Sequence, residues 1–105
     1  MDWERKERKG DMKKITMIQM EGCPYCRNAL RAIEALRAEN AQYAAVEIEH
    51  IDENGTPEKT KPFAGQYYYV PSLFVGGEKI YEAQPGHDYA TVKAGVGKAF
   101  AAAIA

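Results

Sequence analysis

The chain has 105 residues, about the size of one domain, with 46% hydrophobic and 28% charged residues, which fits a folded globular protein with a single core. A formal net charge of −1 gives no basic excess to favour nucleic acid or an anionic membrane. Two cysteines are too few for a disulfide scaffold, no apolar run nears the roughly 20 residues of a membrane span, and the N-terminus lacks an apolar export signal, so a cytoplasmic, reducing setting is expected.

Met1 to Asp11 is almost wholly charged around Trp3 and reads as an extension (residues 1–11) before a domain over residues 12–105. Ile15 to Met20 is short and apolar, which predicts a strand buried on both faces at the centre of a sheet. Cys23-Pro24-Tyr25-Cys26 follows and opens a helix running to about Glu39, with Pro24 suited to its first turn. Ala29, Leu30, Ile33 and Leu36 form its expected apolar face, with Arg27, Arg31, Glu34 and Arg37 towards water and Asn40 as C-terminal cap.

Ala45 to Ile51 alternates between Val46/Ile48 and Glu47/Glu49, as a half-exposed edge strand does. After the turn Asp52-Glu53-Asn54-Gly55, Thr56 and Pro57 predict the cap and first residue of a short second helix ending near Gly65. Ser72 to Val75 and Lys79 to Glu82 read as a hairpin around Gly76-Gly77. A last helix starts at about Asp88, with Tyr89, Val92, Val96, Phe100 and Ile104 on one face. Gly95 and Gly97 each lower its propensity by roughly 1 kcal/mol, so packing must hold it. The order is strand, helix, strand, helix, strand, strand, helix. This is an α/β fold with a four-stranded mixed sheet and helices on both faces, the first strand pair being parallel.

The chemistry concentrates at the cysteine pair. A thiolate is the nucleophile in disulfide exchange, and a helix N-terminus offers Cys23 unpaired N–H groups and the positive end of the helix dipole. Cys26, three residues on, lies on the same side of the first turn but deeper. Cys23 is therefore the expected nucleophile and Cys26 the resolving thiol. The bland alternative is two small buried hydrophobes. Zinc would need about four ligands, and His50 and His87 stand singly, so no metal site is expected.

Cys23-Pro24-Tyr25-Cys26, the order of elements and the Val70-Pro71 step before a strand together resemble the dithiol glutaredoxins of the thioredoxin superfamily, over roughly Lys13 to the C-terminus. The resemblance implies a thioredoxin-like fold, a cis bond before Pro71 and backbone contacts to substrate from Val70; Pro24, Tyr25 and Tyr69 are candidate groove residues, Tyr69 standing where the family commonly has threonine. It implies a monomeric thiol–disulfide oxidoreductase acting on disulfide-containing proteins or glutathione mixed disulfides. No tightly bound cofactor is implied, and glutathione or a thioredoxin-type reductase would supply electrons. Met20-Glu21-Gly22 stands where the family usually carries a lysine for the glutathione carboxylate, and Asp88 is either a stand-in for the family's aspartate motif or a helix cap. Two other readings stay open: glutathione-linked iron–sulfur cluster binding, which Pro24 disfavours, and a non-catalytic redox-sensing module. The Tyr67-Tyr68-Tyr69 run fits either groove lining or sheet packing.

Overall fold

The computed structural model describes residues 12–105; the charged extension read over residues 1–11 lies outside the described residues. The elements are β1 (Ile15–Gln19), α1 (Pro24–Glu39), α2 (Ala41–Ala44), β2 (Ile48–Asp52), a 3-10 helix (Pro57–Phe63), β3 (Ser72–Val75), β4 (Glu78–Glu82) and α3 (Tyr89–Ile104). The sheet order is β2-β1-β3-β4. β1 pairs parallel with β2, Ile15 opposite Ile48. It pairs antiparallel with β3, Ile15 opposite Val75. β3 and β4 form the antiparallel hairpin. This is the mixed four-stranded α/β architecture of the thioredoxin-like fold.

β1 occupies the centre because it can be buried on both faces. Its alternate residues Ile15 and Met17 join Leu73 and Val75 of β3 in the larger core, under Ala29, Ala32 and Ile33 of α1 and Val92, Val96, Ala99 and Phe100 of α3. Ile18 points the other way and meets Ile51 and Phe74, with Phe63, Tyr67 and Val70 packed over them. The period-2 alternation of strands thus feeds two cores from one sheet. The hairpin turn needs positive φ at both central residues, and Gly76 and Gly77 supply +60° and +85°.

Several local expectations are corrected. The second helix is a seven-residue 3-10 segment containing Pro62, whose missing N–H and ring clash prevent a regular α-helix. The second face of the sheet is therefore covered by this segment and the chain after it rather than by an α-helix. Thr56 makes no side-chain cap bond there; its hydroxyl donates back to the Asp52 carbonyl at 3.2 Å. Asn40 ends α1 but also starts α2, its side-chain oxygen accepting from Gln42 N–H at 2.9 Å. That extra turn delays β2, which begins at Ile48 rather than Ala45. On α1 the buried face runs through Ala29, Ala32 and Ile33, and Leu30 is 39% exposed. Arg37 does not simply point to water. Its guanidinium donates to the Val46 carbonyl at 2.9 Å and lies 5.9 Å over the Phe100 ring.

Candidate active site

β1 ends at Gln19 and delivers the chain to the N-terminus of α1, where Cys23 is the cap residue. Its backbone is extended (φ −86°, ψ 122°), which turns the sulfur back over the first helical turn. The Cys26 N–H donates to Cys23 Sγ at 3.4 Å, so the cap interaction usually made by a serine or aspartate oxygen is made by the thiol. Pro24 takes the first helical position, where its missing N–H costs nothing. Both cysteines are free thiols.

The two sulfurs differ in environment. Cys23 retains 9% exposure and Cys26 only 3%. Burial is the main force on Cys26, pushing its thiol up to about 12; a backbone hydrogen bond from Met20 pulls the other way, while Cys23 and the Glu53 carboxylate add to the rise. Cys26 is held as a neutral thiol behind a more accessible partner.

The third component arrives from the far side of the sheet. The Val70-Pro71 peptide is cis, and Pro71 is fully buried. The Val70 carbonyl receives the Cys23 thiol at 3.7 Å. The chain before this step is pinned from β4: Glu82 Oε2 accepts the backbone N–H groups of Tyr68 and Tyr69 at 2.7 and 2.6 Å, while Oε1 is paired with Lys79 at 2.5 Å. Burial alone would raise the Glu82 carboxyl, but Lys79 and those two N–H groups outweigh it and hold it below the ordinary carboxylate range. Ser72 extends the support, its buried hydroxyl donating to the Tyr69 carbonyl at 2.6 Å.

Around this junction lie two kinds of surface. A cavity of about 440 Å³ opens on Cys23 and Cys26 and is lined by Gln19, Met20, Glu21, Gly22, Arg27, Leu30 and Asp52. Tyr25, Tyr69, Val70 and Pro71 do not line it. Tyr25 is half-buried at the first turn of α1, and its hydroxyl accepts the Gly86 N–H at 2.8 Å. Tyr69 is 47% and Tyr68 93% exposed, their rings tilted against each other at 6.5 Å. Tyr67 turns inward instead. It packs on the second core and donates to Glu53 at 2.8 Å. Burial first, then that carboxylate, pushes the Tyr67 hydroxyl up to about 12.

Cys23, Pro24, Tyr25 and Cys26 therefore share one helical turn with the Val70 carbonyl against it. Asp88 caps α3, its carboxylate accepting the Thr91 N–H at 2.9 Å. His50 bonds Gln19 at 2.8 Å and His87 bonds Tyr81 at 2.8 Å. Among the described residues no three His, Cys, Asp or Glu side chains group so as to hold a metal, and no helix is long and apolar enough to cross a membrane. Sequence reasoning missed Glu82, Gly86 and His87, which support the walls. Their contacts are made in space; Gly86 lies 61 positions from Tyr25, and no local pattern signals it.

Comparison with curated proteins gives no match. A family model described as Glutaredoxin matches residues 15–80, which is more than half of the chain and spans β1 through the first residues of β4. It covers both cysteines, the cis-proline step and the first three strands. The chain belongs to the glutaredoxin family.

Proposed function

We propose that this glutaredoxin-family chain is a thiol–disulfide oxidoreductase that reduces protein disulfides and mixed disulfides, with Cys23 as nucleophile and Cys26 as resolving thiol. The observation that carries this reading is the asymmetric sulfur pair. Cys23 is the more accessible, aligned with the N–H of Cys26 at 3.4 Å, and Cys26 is buried three residues behind it. The thiolate of Cys23 attacks one sulfur of the substrate disulfide; the S–S bond breaks and the other sulfur leaves as a thiolate that takes up a proton. Cys26 then loses its proton, attacks Cys23 Sγ and expels the second substrate thiol. Two electrons have passed to the substrate, and a Cys23–Cys26 disulfide remains. Pro71 and Val70 shape the approach, the Val70 backbone being available to pair with an extended substrate. Pro24, Tyr25 and Tyr69 complete the groove. Glutathione or a thioredoxin-type reductase restores the dithiol. A reductant of this kind works in a compartment that keeps thiols reduced, the cytoplasm.

The cavity beside the pair favours protein substrates over glutathione. Glu21 and Asp52 line it beside Arg27 as its one basic residue, and glutathione carries two carboxylates against one ammonium. Like charges about 4 Å apart cost about 1 kcal/mol in water and more when sheltered from it.

Turnover of a glutathione mixed disulfide and of a protein disulfide, wild type against Cys23→Ser, tests the proposal. Loss of both activities in Cys23→Ser supports it; a wild type that reduces neither overturns it in favour of a non-catalytic module. If Cys26→Ser keeps the glutathione-linked activity and loses protein-disulfide reduction, Cys26 is the resolving thiol. Visible absorbance after anaerobic purification would point instead to a bound iron–sulfur cluster.

A further inference from the structure

The segment between β4 and α3, residues 83–88, touches both sides of the cysteine junction. At its start the Ala83 N–H donates to the Pro71 carbonyl at 3.0 Å. Further on, the Gly86 N–H donates to the Tyr25 hydroxyl at 2.8 Å. Gly86 reaches that position with φ +93°, a conformation that disfavours any side chain. A single short segment thus connects the cis-proline wall to the helix wall.

The segment is held in shape by one side chain. His87 Nδ1 lies 3.2 Å from the Gln84 N–H and 2.8 Å from the Tyr81 hydroxyl. A backbone N–H can only donate, so Nδ1 is the acceptor, Tyr81 turns its proton towards it, and the ring proton sits on Nε2. The His87 N–H closes the turn on the Gln84 carbonyl at 3.0 Å, and the His87 and Tyr81 rings stack with centroids 5.8 Å apart and 19° between planes.

We propose that His87 is a positioning residue for disulfide exchange: through Gln84 and Tyr81 it fixes residues 83–88 as a strap that sets Tyr25 against the cis-proline wall, and so sets how tightly the groove holds a peptide disulfide. Without Nδ1 the Gln84 N–H and the Tyr81 hydroxyl lose their shared acceptor. The turn then opens, and Gly86 no longer holds Tyr25. A peptide that needs both walls binds less well, whereas a small reagent attacking Cys23 needs neither. The inference rests on the exchange reaction proposed above.

Three measurements on His87→Phe, His87→Asn and Tyr25→Phe test it, with circular dichroism confirming that each is folded. For a peptide mixed disulfide, His87→Phe raises KM roughly three- to tenfold, the loss of about one net hydrogen bond, with kcat within about twofold of wild type. Alkylation of Cys23 by iodoacetamide stays within about twofold. His87→Asn, whose amide oxygen supplies an acceptor near the place of Nδ1, recovers most of the KM. Tyr25→Phe removes the far anchor of the same strap, so His87→Phe/Tyr25→Phe is no worse than the more severe single variant. An unchanged KM in His87→Phe, an equal loss in His87→Asn, or additive effects in the double variant overturn the strap. A wild type inert towards the mixed disulfide overturns the exchange reaction instead. The strap is then judged by amide exchange at Gly86, where protection lost in His87→Phe and kept in His87→Asn sustains it and equal protection in all three proteins overturns it.

Discussion

Two glycines in α3 are expected to respond to the same substitution with opposite sign. Gly95 is buried and faces Tyr81 of β4. A Cβ added there would fall 2.3, 2.4 and 2.6 Å from the Cδ1, Cγ and Cε1 atoms of that ring. The ring cannot simply rotate away, because its hydroxyl bonds His87 at 2.8 Å and its face stacks on the imidazole. Gly95→Ala gains about 1 kcal/mol of helix propensity, while overpacking costs about 1–3 kcal/mol. Contacts this short belong at the upper end of that range, leaving a net loss of about 2 kcal/mol. At about 4–8 °C per kcal/mol for a domain of this size, the midpoint of thermal unfolding should fall by about 8–16 °C. At Gly97 the nearest heavy atoms to an added Cβ are Leu36 Cδ2 at 3.9 Å and Cδ1 at 4.0 Å, ordinary contact distances. Gly97→Ala should therefore keep the propensity gain and raise the midpoint by about 4–8 °C. Thermal and urea unfolding of the two variants beside wild type is the assay. A Gly95→Ala protein as stable as wild type, or two variants that shift in the same direction, would refute the reasoning.

Burial of Cys26 raises its thiol from an ordinary value of 9.0 to about 12, so the native state binds that proton more tightly than the unfolded chain. The reduced protein should accordingly lose stability as the pH rises from about 9 towards 12, and Cys26→Ala should show a smaller loss in urea titrations across that range. The same burial predicts that iodoacetamide at pH 7 labels one thiol per native chain and two per unfolded chain, checked by mass spectrometry. Glu82 has the opposite sign. Its folded carboxyl lies below the ordinary 4.5, so its contribution is complete above that pH and fades as acid protonates the folded carboxylate. Glu82→Gln should cost about 1–2 kcal/mol at pH 7 through the loss of charge-assisted bonds to Lys79, Tyr68 and Tyr69. It should also flatten the fall in urea midpoint between pH 5 and pH 3.

Where the chain was legible, the signal was local and periodic. Ile15, Met17 and Ile18 mark a strand with both faces apolar, and that strand is central. The Gly76-Gly77 pair fixes a turn, and Asp88 starts a helix. Where the reading failed, a competing local or tertiary effect decided. Pro62 is compatible with a first-turn proline pattern at Pro57 but breaks the α-helix that the pattern suggested. Leu30 fits the apolar stripe of α1 by spacing, yet the buried stripe passes through Ala32, whose small side chain lets α1 lie close to the core, and Leu30 lines the cavity instead. Arg37 reads as a solvent residue by charge, but its long stem lets it return to the Val46 carbonyl.

The same division runs through the candidate site and bears on how its variants should be sorted. The sulfur pair is built from consecutive residues: an extended cap at Cys23, a proline at the first helical position and a second thiol one turn later. The spacing of the two sulfurs is local and was visible as a motif, whereas the burial of Cys26 and the Val70 carbonyl facing Cys23 come from the packed fold. The walls are assembled from distant segments, with Glu82 holding the approach to Val70 and Gly86 holding Tyr25. Both supports come from the end of β4 and the turn after it, which is also where the missing Cβ of Gly95 lets α3 lie close to Tyr81. Changes at Cys23 and Cys26 should act on the exchange step itself, and a change at Tyr25 on substrate binding. Changes at β4, its following turn and the facing side of α3 should act together on substrate binding, because they move one mechanically connected unit. With the exchange reaction proposed above, substrate preference should be tunable without touching the cysteines, because the supports of the walls at Glu82 and Gly86 lie more than fifty positions downstream of them.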